Sequence, residues 1–262
     1  MTGSHKSDLD VNKGLAASRA RVRVGCAGWN IPRPVSANFV SQGTHLERYA
    51  QTFNSCEINS SFYRPHKPAT WARWAASVPA GFQFSVKAPK SITHEAKLNC
   101  SSEVLSAFLQ QIDLLCEKLG PLLFQLPPTL EFDHSGASKF LRLLRRRFSG
   151  DVVWEPRHSS WFDKSANDLL KDHHIARVAA DPGCVPAASD PGGLSSVVYF
   201  RLHGSPRRYY SAYSQPLLKK LSSKLVKLSI QSRVWCIFDN TAAGFAIQNA
   251  LQLNHNLKQP GR

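Results

Sequence analysis

The sequence lacks the short motifs that would assign a common enzyme class. It has no G-x-G-x-x-G after a predicted strand, no P-loop and no G-x-S-x-G turn. Dinucleotide binding, P-loop nucleotide hydrolysis and α/β-hydrolase chemistry therefore have no motif support. No segment approaches the roughly 18 consecutive apolar residues of a membrane-spanning helix. We therefore expect a protein without membrane spans, whose function must be sought in the arrangement of many residues.

Paired cysteines are also missing. The six cysteines are scattered and form no C-x-x-C pair, which disfavours a zinc ribbon or a thioredoxin motif. They are Cys26, Cys56, Cys100, Cys116, Cys184 and Cys236. Residues 1–20 are polar and lack the apolar stretch of a secretory signal, so we expect a flexible leader there. The reducing cytoplasm is the simplest location that fits both observations.

Acidic residues are few. The chain has 18 Asp and Glu against 33 Lys and Arg, which gives a formal net charge of +15. Such a charge attracts anions, so a small anionic substrate, nucleic acid and an acidic protein are all candidate partners. The charge is concentrated in residues 142–147 and 219–227, both predicted to be helical. A solvated helix face is the simpler interpretation of each segment, and a nucleic-acid-binding surface is the alternative.

Eight short apolar runs alternate with helical patterns. The runs are nearly continuous in apolar character, as expected for parallel strands that are buried on both faces. The predicted strands are residues 22–28, 54–58, 82–86, 121–125, 151–155, 175–180, 197–202 and 233–238. The predicted helices are residues 44–53, 69–77, 102–118, 138–148, 163–173, 215–231 and 242–253.

This alternation predicts an α/β fold, specifically a (β/α)8 TIM-type barrel formed by a single domain over residues 21–256. An open doubly wound sheet is the alternative, and residues 257–262 are expected to form a flexible tail. Between strands six and seven, residues 181–193 contain too much proline and glycine for a helix. We therefore predict a non-helical loop there that covers or shapes a site.

Polar side chains follow nearly every predicted strand. In an α/β barrel the carboxyl ends of the strands meet at one mouth, where catalytic groups are placed. The candidates at these ends are Glu57, Asn59, Lys87, Gln125, Glu155, Arg157, His158, Asp181, Arg201, His203, Asp239 and Asn240. Four aromatic residues near the same ends, Trp29, Tyr63, Trp161 and Tyr213, are candidates for stacking on a substrate.

The chemistry of these residue types suggests roles for them. Glu57 and Glu155 are predicted catalytic groups that exchange protons, provided that burial raises one pKa. Lys87 is predicted to be a base, or a Schiff-base nucleophile if it is desolvated, and His203 a proton shuttle. Arg157 and Arg201 have the planar fork that suits phosphate or carboxylate. The alternative is that these charges pair with one another and only hold the strands together.

A divalent-metal site is a further alternative. Glu57, Glu155, Asp181, His203 and Asp239 are the oxygen and nitrogen ligands that metal-dependent barrels use. No H-E-x-x-H or H-x-H motif supports such a site, and the nearby arginines and lysines disfavour a cation. We therefore assign no metal ligand and no cofactor, and keep a divalent metal only as an alternative.

Seven segments in order carry a resemblance to a known family. They are VGCAGW (24–29), EINSSFY (57–63), FSVKAP with ITH (84–94), GPLLFQLPP (120–128), EPRHSSW (155–161), YFRLHG (199–204) and FDNTA (238–242). The chain resembles the YecE-like family, also called domain of unknown function 72, over about residues 22–253. The resemblance implies an α/β barrel but no particular reaction. Pro156 and the segment 205–210 depart from the family pattern, which concerns local geometry only.

Taken together, the sequence favours a barrel enzyme that acts on a phosphate- or carboxylate-bearing substrate. Hydrolysis or isomerisation by acid/base chemistry is the expected reaction type. A nucleic-acid-binding protein or metal-assisted nuclease is the main alternative, and a non-catalytic binding barrel is the third hypothesis.

Overall fold

The computed structural model describes residues 21–258. The predicted leader and residues 259–262 lie outside that range. The strands are β1 (Val22–Cys26), β2 (Ser55–Ile58), β3 (Gln83–Lys87), β4 (Leu119–Gln125), β5 (Val152–Glu155), β6 (Ala176–Arg177), β7 (Ala179–Asp181), β8 (Gly192–Gly193), β9 (Val197–Leu202) and β10 (Arg233–Phe238). The helices are α1 (His45–Ala50), α2 (Pro68–Ala76), α3 (Ser102–Asp113), α4 (His134–Arg147), α5 (Lys164–Asp172), α6 (Gln215–Leu228) and α7 (Phe245–Lys258).

The strands form two sheets that are parallel except at one edge. One sheet has the order β1-β10-β9-β7, and the other has the order β2-β3-β4-β5-β6-β8. Only β8 runs antiparallel within the described range, where it pairs with β6. The prediction of an α/β fold built on parallel strands is therefore confirmed.

The two sheets approach each other at two places. Val178 alone separates β6 from β7, although these strands belong to different sheets. An isolated parallel bridge joins Ala27 to Glu57, just after β1 and within β2. Glycine at position 25 permits this second approach, because a Cβ atom on Gly25 would lie 2.2 Å from the Ser55 carbonyl oxygen. The ends of β1 and β2 are thus held side by side by backbone contacts.

Alternation along β9 divides its side chains between two hydrophobic clusters. Val198, Phe200 and Leu202 belong to the larger cluster, which also includes residues from the helices. Tyr199 belongs to a smaller cluster contributed by strand residues on the opposite face. Successive side chains of a strand point to opposite faces, so Arg201 shares the face of Tyr199. This alternation carries the polar side chains of β9 away from the helices.

Helix starts follow capping side chains that the apolar pattern did not show. Helix α4 begins four residues earlier than predicted, because the Asp133 carboxylate accepts hydrogen bonds from the backbone N–H groups of Ser135 and Gly136. Helix α3 ends at Asp113, before the predicted residue 118, and a 3-10 turn over Cys116–Lys118 leads into β4.

None of the helices in residues 21–258 combines the length and the hydropathy that a membrane crossing requires.

The segment between β7 and β9 contains no α-helix, as predicted. It contains a 3-10 turn over Pro186–Ser189 and the short strand β8. At the other end of the chain, α7 continues through Lys258, two residues beyond the predicted domain end. Its residue Leu257 is buried, so the hydrophobic core includes this last turn.

The basic run at the end of α4 is largely used within the fold. The Arg145 guanidinium donates hydrogen bonds to the backbone carbonyls of His173, His174, Phe148 and Gly150 at 2.7 to 3.2 Å. It therefore joins the end of α4 to the turn after α5. These contacts favour a structural interpretation of Arg145 over phosphate binding.

We expect Arg145→Ala to lower the free energy of unfolding by about 2–4 kcal/mol, because it leaves four carbonyls without a charged donor. Urea denaturation followed by circular dichroism measures this loss. Arg146→Ala is the matched control, since Arg146 is exposed and is its immediate neighbour. Equal stability of the two variants would contradict a structural role for Arg145.

Candidate functional site

Seven charged or ionisable side chains meet at the carboxyl ends of strands from both sheets. We call them the polar cluster: Glu57, Lys87, Glu155, Arg157, Arg201, His203 and Asp239. All seven were predicted as site candidates from their positions after apolar runs. They come from the ends of β2, β3, β5, β9 and β10 or from the residues just beyond them.

Arg201 lies at the centre of the polar cluster. Its Nη2 atom is 2.7 Å from Glu57 Oε1 and 3.0 Å from Asp239 Oδ2. Its Nη1 atom is 3.2 Å from Glu155 Oε2. The Arg201 side chain is only 1% exposed, so one buried guanidinium joins three carboxylates from different strands. A buried charge is tolerated only when it is paired and hydrogen-bonded, as it is here.

Glu57 also contacts the Tyr199 side chain, in addition to Arg201. The Tyr199 hydroxyl lies 2.9 Å from Glu57 Oε2 and 2.9 Å from Ser85 Oγ. Since an ionised carboxylate can only accept, the phenol donates its one proton to Glu57. Glu57 is thereby held by Tyr199 and Arg201 and has no exposed surface. This arrangement suits a fixed countercharge better than a group that must move a proton.

His203 joins two of the carboxylates. Its Nε2 atom is 2.8 Å from Glu155 Oε1, and its Nδ1 atom is 2.9 Å from Asp239 Oδ2. Each contact is a hydrogen bond only while that ring nitrogen carries a proton, because carboxylates accept. Arg157 Nη2 lies 2.6 Å from the same Nε2 atom and donates to it only when Nε2 carries no proton. His203 is fully buried and holds Glu155 and Asp239 at a fixed separation.

Arg157 is incompletely satisfied. Its Nη2 atom pairs with Glu155 Oε1 at 2.5 Å. Its Nε and Nη1 atoms are buried and have no hydrogen-bond partner among residues 21–258. Leaving buried donors unpaired costs about 1–3 kcal/mol each, more when they are charged. Arg157 therefore has donors available for a group other than the described residues.

Lys87 differs from the other cations of the polar cluster. The carboxylates of the cluster form their ion pairs with the two arginines and the histidine, so that none in the described range pairs with Lys87. Its Nζ atom lies 4.0 Å from the centre of the Phe62 ring. Burial, followed by the charge of Arg201, lowers the pKa of Lys87 to about 8. The three carboxylates oppose this shift but do not reverse it.

Exposure divides the polar cluster into two layers. Glu57, Glu155 and His203 have no exposed surface, and Arg201 has 1%. Lys87, Arg157 and Asp239 keep 5%, 8% and 5%. The inner layer is thus a closed network of opposite charges, whereas two of the three side chains that reach the surface are cations. A ligand that approaches the cluster meets mainly positive charge.

Two of the acidic groups of the cluster, Glu155 and Asp239, are held ionised. Burial alone would raise the pKa of Glu155, but Arg157, Arg201 and His203 outweigh it and hold this pKa far below its usual range. The pKa of Asp239 is lowered in the same way, since Arg201 and His203 outweigh burial. The prediction that burial raises a glutamate pKa therefore fails for Glu155, which has no proton to donate at neutral pH. Lys87 is the side chain of the cluster whose pKa is shifted toward neutrality.

Two further predicted residues lie beside the polar cluster. Gln125 ends β4, is half-buried and stands in register with Glu155 on the neighbouring strand. Asn59 follows β2, and its Oδ1 atom is buried without a hydrogen-bond partner in the described range. Both remain predicted contacts for a substrate.

Other predicted site residues have structural partners instead. The Trp161 ring is buried, and its Nε1 atom donates to the Leu130 carbonyl at 3.0 Å. The His158 ring lies 2.9 Å from Ser160 Oγ, in the turn that follows β5. Leu130 lies in a loop and Ser160 in the 3-10 turn Ser159–Phe162, so the structure gives Trp161 and His158 packing and turn-forming roles.

The loop after β9 is fixed by three more of the predicted residues. The Tyr213 hydroxyl donates to the Asp181 carbonyl at 3.0 Å and accepts from the Gly204 N–H at 2.9 Å. The Asn240 amide donates to the Ser211 carbonyl and to Asn249 Oδ1, both at 2.9 Å. Tyr213 and Asn240 therefore shape the loop, and Asp181 contributes its backbone carbonyl to the same network.

Two further aromatic candidates pack against other rings. Trp29 is half-buried and packs edge-on against Trp74, with ring centres 5.1 Å apart. Tyr63 is 66% exposed and contacts the Phe62 ring. Phe62, which touches Lys87, and Tyr209, whose ring centre lies 5.7 Å from that of His203, are aromatic neighbours of the cluster.

Tyr199 and Ser85 were missed by the sequence reasoning. Each sits two residues before a predicted site residue of its own strand, Arg201 and Lys87 respectively. Strand alternation places residues two apart on one face, so this spacing was a usable signal. Both lie inside apolar runs, where the pattern predicts ordinary strand residues.

The carboxylates of the polar cluster are engaged by cations. Within residues 21–258, no group of three His, Cys, Asp or Glu side chains is arranged to hold a metal ion. Arg201 occupies the position between three carboxylates where a divalent cation would otherwise bind. These side chains therefore do not fit the alternative of a metal site.

The sequence profile described as protein of unknown function DUF72 matches residues 23–262. The chain belongs to the DUF72 family. It is 31% identical to the UPF0759 protein YecE of Escherichia coli K12, over 64% of this chain and 61% of YecE. It is 25% identical to the UPF0759 protein YunF of Bacillus subtilis, over 88% of this chain and 93% of YunF. The predicted family membership is thereby confirmed.

Solved DUF72 structures share the fold. A DUF72 protein from Thermotoga maritima superposes with a TM-score of 0.78 at 27% identity, covering 91% of this chain and 99% of that one. A DUF72 protein from Enterococcus faecalis gives a TM-score of 0.77 at 22% identity, covering 92% and 97%. The α/β architecture described above is thus common to this chain and to other DUF72 proteins.

Proposed function

We propose that this DUF72 protein is an enzyme whose polar cluster binds a small substrate carrying phosphate or carboxylate. In this proposal the two sheets form one (β/α)8 barrel, and the cluster lies at its mouth. The continuity of β6 with β7 and the bridge between Ala27 and Glu57 support closure. Barrels of this type place their active sites at the carboxyl ends of the strands.

Arg157 carries the proposal of an anionic substrate. Its Nε and Nη1 atoms are buried donors without a partner in the described range, and Arg157 keeps 8% exposure. A phosphate or carboxylate accepts from two such donors at once and supplies the missing hydrogen bonds. Arg157 pairs with Glu155 through its Nη2 atom alone, so its Nε and Nη1 donors remain for the ligand.

Lys87 is the group that we assign to proton exchange. Catalysis by acid and base is most efficient when the pKa of the group lies near the working pH. The pKa of Lys87 is lowered to about 8, whereas Glu155 is held fully ionised. Isomerisation through removal of a proton next to a carbonyl requires one such base and a bound anion. We therefore favour isomerisation over hydrolysis and give Glu57 and Glu155 a positioning role.

The anion site is tested by ligand-induced shifts in the melting temperature. We expect inorganic phosphate or malonate at millimolar concentration to stabilise the wild-type protein, because a ligand of the folded state raises its stability. Arg157→Lys keeps a charge beside Glu155 but loses the planar fork, so its affinity for the anion should fall at least about tenfold. Arg146→Lys is the matched control on the surface.

Two results would count against this proposal. Equal anion affinity in wild type and Arg157→Lys would remove Arg157 from the site. Stabilisation by short oligonucleotides alone, abolished at high salt, would favour the nucleic-acid-binding alternative that the +15 charge permits.

A further inference from the structure

Lys87 has the surroundings of a nucleophile as well as those of a base. We propose that the Lys87 amine condenses with the aldehyde or ketone carbon of an anionic substrate to form an imine. This inference rests on the proposed function, because it uses the same anion site, but in it Lys87 acts as the nucleophile instead of the base. It narrows the substrate class to carbonyl compounds that also carry a carboxylate or a phosphate, such as 2-oxo acids and phosphorylated aldehydes.

The geometry around Lys87 leaves its nitrogen available. Lys87 is 5% exposed, lies at the end of β3, and has no carboxylate partner in the described range. Its Nζ atom instead faces the Phe62 ring at 4.0 Å. A ring face attracts the ammonium only weakly compared with a buried carboxylate, so it does not lock the proton onto the nitrogen. One side of the amine is thus apolar and the other is bounded by the polar cluster.

Lys118 shows that burial alone does not produce this situation. It is 7% exposed, similar to Lys87. Its Nζ atom, however, donates to the Pro79 carbonyl at 3.0 Å and lies 3.4 Å from Glu117 Oε1. The Lys118 nitrogen is therefore occupied by oxygen partners, whereas the Lys87 nitrogen is free to attack. The chain thus contains a matched control for the reaction.

The protonation state of Lys87 supports this assignment. An imine forms only from the neutral amine. With a pKa of about 8, roughly a tenth of Lys87 is neutral at pH 7, against less than roughly a thousandth of a lysine at 10.5. The available amine is therefore increased by more than about a hundredfold over an ordinary surface lysine.

The reaction balances without any further reactant. The neutral Lys87 nitrogen attacks the carbonyl carbon, a C–N bond forms, and the carbonyl oxygen takes up the proton that the nitrogen loses. The carbinolamine hydroxyl then leaves as water together with the remaining N–H proton, which forms a C=N bond, and the imine nitrogen takes up a proton from solvent. The protonated imine withdraws electrons, so the neighbouring C–H becomes acidic. Hydrolysis of the imine returns the Lys87 amine and releases the product. Arg157 holds the carboxylate or phosphate throughout.

Reductive trapping tests the imine. The full chain is incubated with pyruvate or glyceraldehyde 3-phosphate and sodium cyanoborohydride, and the labelled peptides are located by mass spectrometry. We expect about one label per chain at Lys87, formed at least tenfold faster than at Lys118. The rate should rise with pH through about 8 and then level off. Lys87→Arg should abolish this label, and Lys118→Arg should leave it unchanged.

The outcomes separate this inference from the function on which it rests. Labels spread over surface lysines, or a labelling rate unaffected by Lys87→Arg, would overturn the nucleophile. If phosphate binding still depends on Arg157 in that case, the proposed anion site stands without the imine. Labelling of Lys87 by propionaldehyde as fast as by glyceraldehyde 3-phosphate would overturn the anionic substrate class for both proposals.

Discussion

Replacing Arg201 with methionine is expected to lower the free energy of unfolding by about 3–5 kcal/mol at neutral pH, the largest effect of any single substitution considered. The guanidinium pairs with Glu57, Glu155 and Asp239, and it is only 1% exposed. Its loss leaves three carboxylates in a buried space, with Arg157 and Lys87 as the remaining side chains of opposite charge in the polar cluster. Urea denaturation of the variant and the wild type at pH 7 measures the loss.

The pH dependence of this loss separates electrostatics from packing. In the wild type, the pKa values of Glu155 and Asp239 are lowered from 4.5 and 3.8. Their contribution is therefore present above those unfolded-state values and is lost as the pH falls through the folded values. Without Arg201, burial favours the neutral carboxyls, so the variant should lose stability as the pH rises from about 5 to 8.

A second substitution provides the control for Arg201. Adding Glu57→Gln to Arg201→Met removes one of the stranded charges and should recover part of the stability. A stability deficit that is the same at pH 5 and at pH 8 would attribute the effect of Arg201 to lost packing. In that case the ion pairs of Arg201 would not contribute to the stability of the fold.

Lys87→Met is expected to stabilise the protein by about 3 kcal/mol at pH 7. Lowering the pKa of Lys87 from 10.5 to about 8 means that the folded state holds the ammonium poorly. The resulting penalty is fully present below pH 8 and disappears as the pH rises toward 10.5. The advantage of the variant over the wild type should therefore shrink across this range.

Lys118→Met is the matched comparison for this stabilisation. Lys118 is equally buried but bonded to the Pro79 carbonyl, so its removal should destabilise the fold. Chemical denaturation between pH 7 and pH 10 measures the free energy of unfolding, which should be higher than wild type in Lys87→Met and lower in Lys118→Met. A loss of stability in Lys87→Met would show that the carboxylates of the polar cluster, rather than burial, dominate the energy of Lys87.

The strand ends were predictable because a short apolar run stops there and a polar residue follows it. Runs such as residues 233–238 are too short and too apolar for surface helices, and Asp239 follows at once. Parallel strands bring such ends together, so Glu57, Arg201 and Asp239 meet although they are far apart in the chain. The meeting of these residues follows from the parallel order within each sheet together with the approach of the two sheets at Ala27 and Glu57.

Roles were harder to predict than positions. Whether Glu155 gains or loses a proton depends on the sum of burial and three nearby cations, and this sum exists only in the folded chain. The direction of a side chain beyond a strand end depends likewise on the loop. Trp161 donates to the Leu130 carbonyl, and Tyr213 accepts from the Gly204 N–H. Both contacts depend on loop geometry, which the spacing of apolar residues does not predict.

Strand β9 makes the polar cluster sensitive to insertions and deletions. Tyr199 and Arg201 share one face of this strand, and Val198, Phe200 and Leu202 share the other. Because a shift by one residue exchanges the two faces, a single-residue deletion inside β9 would send the guanidinium toward the helices and a hydrocarbon toward Glu57. Evolution can therefore alter this protein by point substitution around the cluster, whereas changes in chain length must fall in the loops.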